Sequence, residues 1–177
     1  MAPRRILAMM TATAALIAGP VLTAQASTSP QNTFARQTRA AGLTAPQAAE
    51  LRQRVDAVLA SDPQARQISA NKLAIAGGDL VLRAPGQSET RDLAAPDQAL
   101  ACADGHLCIR DGQGSTWDYY YCGYYDFRGI GDGTFTNNQS SGTRARFYNL
   151  NGSERWSNVA KDSGTASWTP VYHIRPC

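Results

Sequence analysis

The stretch WDYYYCGYYDF at residues 117–127 decides the fold class. Aromatic residues favour β-strands, and successive side chains of a strand alternate between its two faces. We therefore predict one long strand with a face in the core and a face outside it. The core face would carry Trp117, Tyr119, Tyr121, Tyr125 and Phe127, and the other face Asp118, Tyr120, Cys122, Tyr124 and Asp126. For Tyr120 and Tyr124 two interpretations stay open, a packed ring with its hydroxyl in water or a surface that contacts sugar or protein.

The residues around this stretch also indicate β structure. Thirteen of the fourteen aromatic residues lie from Trp117 onward, whereas the first hundred residues are rich in Ala, Gln and Arg. Turn sequences follow one another at 111–114, 129–133, 137–142 and 151–152, and short apolar or alternating runs separate them. This spacing predicts a small β-sandwich or barrel.

All four cysteines lie after residue 100, at positions 102, 108, 122 and 177. An even number of cysteines in a small exported domain predicts two disulfides. The alternative is a zinc site with His106 and His173. Because no C-x-x-C pair is present, we favour the disulfides.

The N-terminal end has the three parts of a secretory signal. Arg4 and Arg5 precede an apolar run at 6–22, and Ala24-Gln25-Ala26 has the small-x-small pattern of a cleavage site. We predict a signal peptide at 1–26 that is cleaved near Ala26. The mature protein is then expected to be secreted and not to associate with a membrane. Residues 27–43 are small and polar, and we predict a flexible leader there.

A helix followed by a β-hairpin is predicted for residues 44–84. Thr44 and Gln47 form a capping-box pattern, and the apolar positions that follow have helical spacing. Strands are expected at 68–75 and 80–82, on either side of Gly77-Gly78. A linker is predicted at 85–100 because this segment contains two prolines, one serine and three acidic residues. The disulfide-linked β domain is then 101–177.

Charge and residue types argue against several functions. From residue 101 onward seven basic side chains balance seven acidic ones, so no basic patch for nucleic acid is predicted. Asp162-Ser163-Gly164 is best interpreted as a turn, and we identify no nucleophile with a base and an orienting group. We therefore predict a protein that is not an enzyme, has no cofactor and is a monomer.

The β region resembles secreted actinomycete proteins of peptidase inhibitor family I36. The resemblance covers about 102–177 and rests on four features: the CADGHLC segment at 102–108, the aromatic run with Cys122, Gly131-Asp132-Gly133, and the loop NNQSSG at 137–142. It implies a single βγ-crystallin-like domain of two Greek-key motifs, and it implies inhibition of a metalloprotease. The expected partner is thus a secreted protease.

The same family places calcium in loops like 137–142, where Asn137, Asn138 and Ser141 are the candidate ligands. Gly142 replaces the last serine of the calcium motif, and the loop has no carboxylate, so we expect calcium binding to be weak or absent.

The expected disulfides are Cys102–Cys108, across the Asp104-Gly105 turn, and Cys122–Cys177. Loops 128–133 and 137–143 are the candidate inhibitory loops. The candidate contact residues are Arg128, Gly131, Asp132, Asn137, Asn138, Tyr120 and Tyr124. The alternative function is a non-inhibitory βγ-crystallin-like module of the cell envelope that binds protein or carbohydrate or serves in stress.

Overall fold

The computed structural model describes residues 29–177, and the predicted signal peptide lies outside them. Two helices precede eleven short strands. The helices are α1 (Pro30–Ala40) and α2 (Ala45–Ser61). The strands are β1 (Arg66–Gln67), β2 (Lys72–Ile75), β3 (Gly78–Val81), β4 (Leu107–Arg110), β5 (Thr116–Tyr119), β6 (Tyr125–Asp126), β7 (Asp132–Asn137), β8 (Arg144–Tyr148), β9 (Glu154–Val159), β10 (Asp162–Ser167) and β11 (His173–Arg175).

The strands form two antiparallel sheets. The first sheet has the order β1-β2-β3-β5-β4-β7-β10, and the second has the order β6-β11-β8-β9. The prediction of a mainly β protein is confirmed. A single core contains apolar side chains of both sheets and of α2, and Trp168 lies at its aromatic centre with Phe127, Phe135 and Phe147 around it.

Both disulfides have the predicted pairing, Cys102–Cys108 and Cys122–Cys177. The first closes a local loop that ends at Cys108 inside β4. The second joins the C-terminus to the segment between β5 and β6, and so connects residues 55 positions apart. Two such bonds are typical of an oxidising, extracellular compartment.

Helix α2 begins as predicted, with Thr44 as its N-cap and a complete capping box with Gln47. The segment predicted as a flexible leader is instead largely helical, because it contains α1. Ser29 caps α1, Phe34 packs against the core, and the Gln37 side chain accepts a hydrogen bond from the Ala70 amide at 2.7 Å.

The first strand of the hairpin is shorter than predicted and begins at Lys72, whereas the second begins earlier, at Gly78. Both strands are part of the first sheet. Residues 69–71 form a bend in which the side chain of Asn71 is fully buried. Its amide donates to the carbonyls of Leu82 and Arg91, at 2.7 Å each, and its oxygen accepts from the Leu93 amide. The predicted linker has no regular secondary structure, but this asparagine holds it against the hairpin.

The aromatic run is two strands, not one, because the chain bends at Tyr120–Gly123. Trp117, Tyr119 and Phe127 are buried as predicted. The prediction for Tyr121 was wrong, since its side chain is 64% exposed. The bend places the Cys122–Cys177 bond between β5 and β6 and ends the alternation on which the prediction depended.

The two disulfides should differ in their contribution to stability. Removing Cys122–Cys177 by Ala substitution of both residues should lower the free energy of unfolding by about 4 kcal/mol, because the bond closes a long loop in the unfolded chain. Removing Cys102–Cys108 in the same way should cost about 2 kcal/mol. Urea denaturation of the two double variants tests this order, and an equal or reversed cost would contradict it.

Candidate functional site

The loop between β6 and β7 presents an apolar side chain on the surface. Phe127 is buried at its start, and Ile130 follows between two glycines with 44% of its side chain exposed. Arg128 is exposed, and its guanidinium lies 3.4 Å from the Ser61 carbonyl at the end of α2. The loop therefore presents Ile130 next to a cation.

A buried carboxylate holds one side of this loop. Asp111 is only 4% exposed and accepts hydrogen bonds from the Ser115 amide at 2.8 Å and from the Ile130 amide at 3.3 Å. Burial raises the pKa of Asp111, against the opposing effect of these backbone donors. Because the Gly112 amide donates to the Ile130 carbonyl at 2.8 Å, both backbone groups of Ile130 are bound to the turn between β4 and β5.

The segment after β10 holds the other side of the loop between β6 and β7. The Gly131 amide donates to the Thr169 hydroxyl at 2.9 Å, and the Trp168 amide donates to the Gly131 carbonyl at 2.8 Å. Trp168 is fully buried, so this attachment leads directly into the core. The backbone of Ile130–Gly131 is thus fixed from two directions, and only the side chain of Ile130 is left to contact a partner.

An open cleft of about 630 Å³ lies beside this loop, between α2 and the first sheet. Its lining includes Leu80 and Leu82 next to Trp117, with Val58 of α2 and Tyr125 also against the cleft. Its polar residues are Arg54, Ser61, Asp62, Gln64, Asp111, Gln113, Ser115, Asp126 and Arg128. A volume of this size is ordinary for a small-molecule site.

Tyr120 and Tyr124 are both exposed, by 38% and 47%. The ring of Tyr120 contacts His106, whose Nδ1 lies 2.6 Å from a carboxylate oxygen of Asp118. The ring of Tyr124 instead contacts His173 and Tyr148, at centroid distances of 5.1 and 5.2 Å. Tyr120 and Tyr124 therefore belong to different aromatic groups.

The first residue of the loop at 137–142 is buried and is therefore not available to bind a ligand at the surface. Asn137 is fully buried, its amide donates to Asn158, and its oxygen accepts from Gln139 at 2.9 Å. This burial removes Asn137 from the candidate contact surface. Asn138 is half-buried and donates to the Cys102 carbonyl at 3.1 Å, whereas Ser141 is exposed.

Asp132 is exposed at the first position of β7. Within residues 29–177, no three His, Cys, Asp or Glu side chains are grouped as a metal site would require. In the same part of the chain, no helix has the length and apolar character of a membrane span.

Sequence reasoning selected Arg128, Gly131 and Asp132 of the loop but missed Ile130 and Asp111. An isoleucine between two glycines is a signal for an exposed apolar side chain, because no strand or helix pattern includes it. Asp111 precedes a glycine in a predicted turn, where an aspartate usually binds nearby amides. Its contact with Ile130, nineteen positions away, has no sequence signal.

Comparison with protein-family models, curated proteins and solved structures found no match. The functional interpretation therefore depends on the geometry of these residues.

Asp111→Asn should loosen the loop. An amide has only one acceptor oxygen, so one of the two bound backbone amides loses its partner. We expect this to be the Ile130 amide, whose bond of 3.3 Å is longer than the 2.8 Å bond of the Ser115 amide, and the free energy of unfolding should fall by about 1–3 kcal/mol. Hydrogen exchange at the Ile130 amide should accelerate roughly tenfold. Asp132→Asn, exposed at the first position of β7 directly after the loop, is the control. Unchanged exchange at Ile130 in the Asp111 variant would contradict the role of this carboxylate.

Proposed function

We propose that this protein is a secreted proteinase inhibitor that inserts the side chain of Ile130 into an apolar subsite of a protease, most directly a metalloprotease. The observation that carries the proposal is the exposed Ile130 side chain on a backbone held by Asp111 and Gly112 on one side and by Thr169 and Trp168 on the other.

A fixed loop favours inhibition for two physical reasons. Binding costs less conformational entropy when the contact loop already has its bound shape. Cleavage requires local opening of the chain, and a loop whose backbone makes four hydrogen bonds to the rest of the domain opens rarely. The long-range disulfide at Cys122 lies before β6 and limits opening of the strand that leads into the loop.

The protease class comes from the resemblance to peptidase inhibitor family I36. That resemblance also makes a βγ-crystallin-like Greek-key arrangement part of this proposal. The two-sheet β architecture and the two disulfides are compatible with it.

The surface group of Tyr124, Tyr148 and His173 favours a second candidate, a carbohydrate-binding module of the cell envelope. Tyr124 is half exposed, and Asp126 lies 2.9 Å from Nδ1 of His173, so the group combines aromatic faces with polar groups. Sugar rings bind to surfaces of this kind through their apolar faces and their hydroxyls.

Titration of the purified protein against a thermolysin-like metalloprotease and several bacterial serine proteases tests the first proposal. We expect stoichiometric slowing of the metalloprotease. Ile130→Asp should weaken inhibition about tenfold or more, since burial of an aliphatic side chain contributes about 1.5–3 kcal/mol.

Leu150→Asp is the matched control, because Leu150 is also apolar and is 68% exposed on a different turn. If no protease is slowed by a large excess of protein that remains intact, inhibition is excluded and the carbohydrate proposal takes its place.

A further inference from the structure

The cleft between α2 and the first sheet contains a half-buried cation. Arg54 lies on the same face of α2 as Val58 and Ser61, and all three line the cleft. Its guanidinium donates to the Arg83 carbonyl at 2.8 Å and to the Ser115 hydroxyl at 3.2 Å, which are both neutral acceptors. Among residues 29–177, no carboxylate lies within ion-pair distance of Arg54.

Each of the three acidic residues that line the cleft has a hydrogen-bond partner other than Arg54. Asp111 accepts two backbone amides, Asp126 pairs with His173, and Asp62 accepts the Gln64 amide at 2.9 Å. Arg54 acts on Asp111 only through the Coulomb attraction that lowers the pKa of its carboxyl, and the burial that raises this pKa is the larger effect. A partly desolvated guanidinium without a paired anion has donors left for a carboxylate, which it can hold with two parallel hydrogen bonds.

The cleft also offers an apolar surface and a second cation. Val58, Ile75 and Tyr125 line it with half-buried side chains, whereas Leu80, Leu82 and Trp117 also line it but are at most 6% exposed. Arg128 is exposed and also lines it. Three carboxylates line the cleft against two guanidinium groups, so the site for an anion is at Arg54, whose remaining donors have no paired carboxylate among the residues that the structure describes. Apolar surface beside this guanidinium is complementary to a molecule that has an apolar body and one negative end.

We propose that this cleft binds a small amphipathic carboxylate, with the carboxylate on Arg54 and the apolar body against Val58, Ile75 and Tyr125. The ligand class includes medium-chain fatty acids and arylalkanoic acids, which share this chemistry. The inference does not use Ile130, which is not among the residues that line the cleft, although Asp111 and Arg128 belong both to the cleft and to the surroundings of the Ile130 loop.

Calorimetric titration of the purified protein with octanoate and with 4-phenylbutanoate tests the proposal. The primary amide of each acid keeps the shape and removes the charge. We expect saturable binding of at least one of the two acids with one site per chain, and at least tenfold weaker binding of its amide.

Arg54→Gln should weaken binding of the acid about tenfold or more and leave the affinity for the amide unchanged, because a hydrogen bond to a charged group is lost. Arg52→Gln is the charge control, since Arg52 is exposed on the same helix and does not line this cleft.

Because Arg54 also binds the protein's own backbone, a second variant keeps the test independent of folding. Ala57→Trp adds bulk at an exposed position that lines the cleft and should abolish binding, whereas Ala60→Trp, exposed on the same helix outside the cleft, should not. The proposal is overturned if neither acid binds saturably, or if an acid binds the Ala57→Trp variant as tightly as the unsubstituted protein. It is also overturned if a folded Arg54→Gln variant binds the acids with unchanged affinity.

Discussion

The rest of the structure depends on the antiparallel pairing of β3 with β5. This pairing joins the helix-hairpin region to the disulfide-linked region in one sheet, with Leu80 opposite Trp117 across the two strands. Gly78 permits it, because a Cβ at that position would collide with the Asp118 carbonyl oxygen of the neighbouring strand. A two-stranded hairpin and a helix bury little surface by themselves, so they gain their stability from this attachment.

Both candidate sites are consequences of the same pairing. It brings Arg54 of α2 to the Ser115 hydroxyl at the turn before β5, and the cleft lies between them and the sheet. The same turn carries Asp111, whose carboxylate fixes Ile130. The β3–β5 pairing therefore forms part of the wall of the cleft. It also positions the turn between β4 and β5, which in turn holds the exposed loop.

Local patterns predicted what local contacts determine. The capping box of α2 and the Cys102–Cys108 bridge each join residues that are close together in the sequence, and both were predicted correctly. Helix α1 was missed because its residues are mostly polar and its support comes from contacts such as Gln37 with Ala70.

Apart from the Cys122–Cys177 disulfide, which was predicted although its cysteines lie 55 positions apart, contacts between distant residues had no signal of this kind. Tyr121 is exposed because the chain bends at Tyr120–Gly123 and the alternation of the first strand ends there. Asn137 is buried because it lies on the same face of β7 as Phe135, and its polar side chain is bound to Asn158 and Gln139. Asp111 and the cleft are likewise products of tertiary structure. The sequence thus indicated the β class and the loop region, but not the residues that fix the loop or form the cleft.

Native-state hydrogen exchange under increasing denaturant tests the central claim most directly, which is that the helix-hairpin region and the β region are one cooperative unit. Amides of Val55 in α2, Leu80 in β3 and Phe147 in β8 should converge on the same opening free energy and the same denaturant dependence. If the amides of α2 and β3 instead exchange through a separate opening of much lower free energy while Phe147 stays protected, the helix-hairpin region is an independent unit and the account is contradicted.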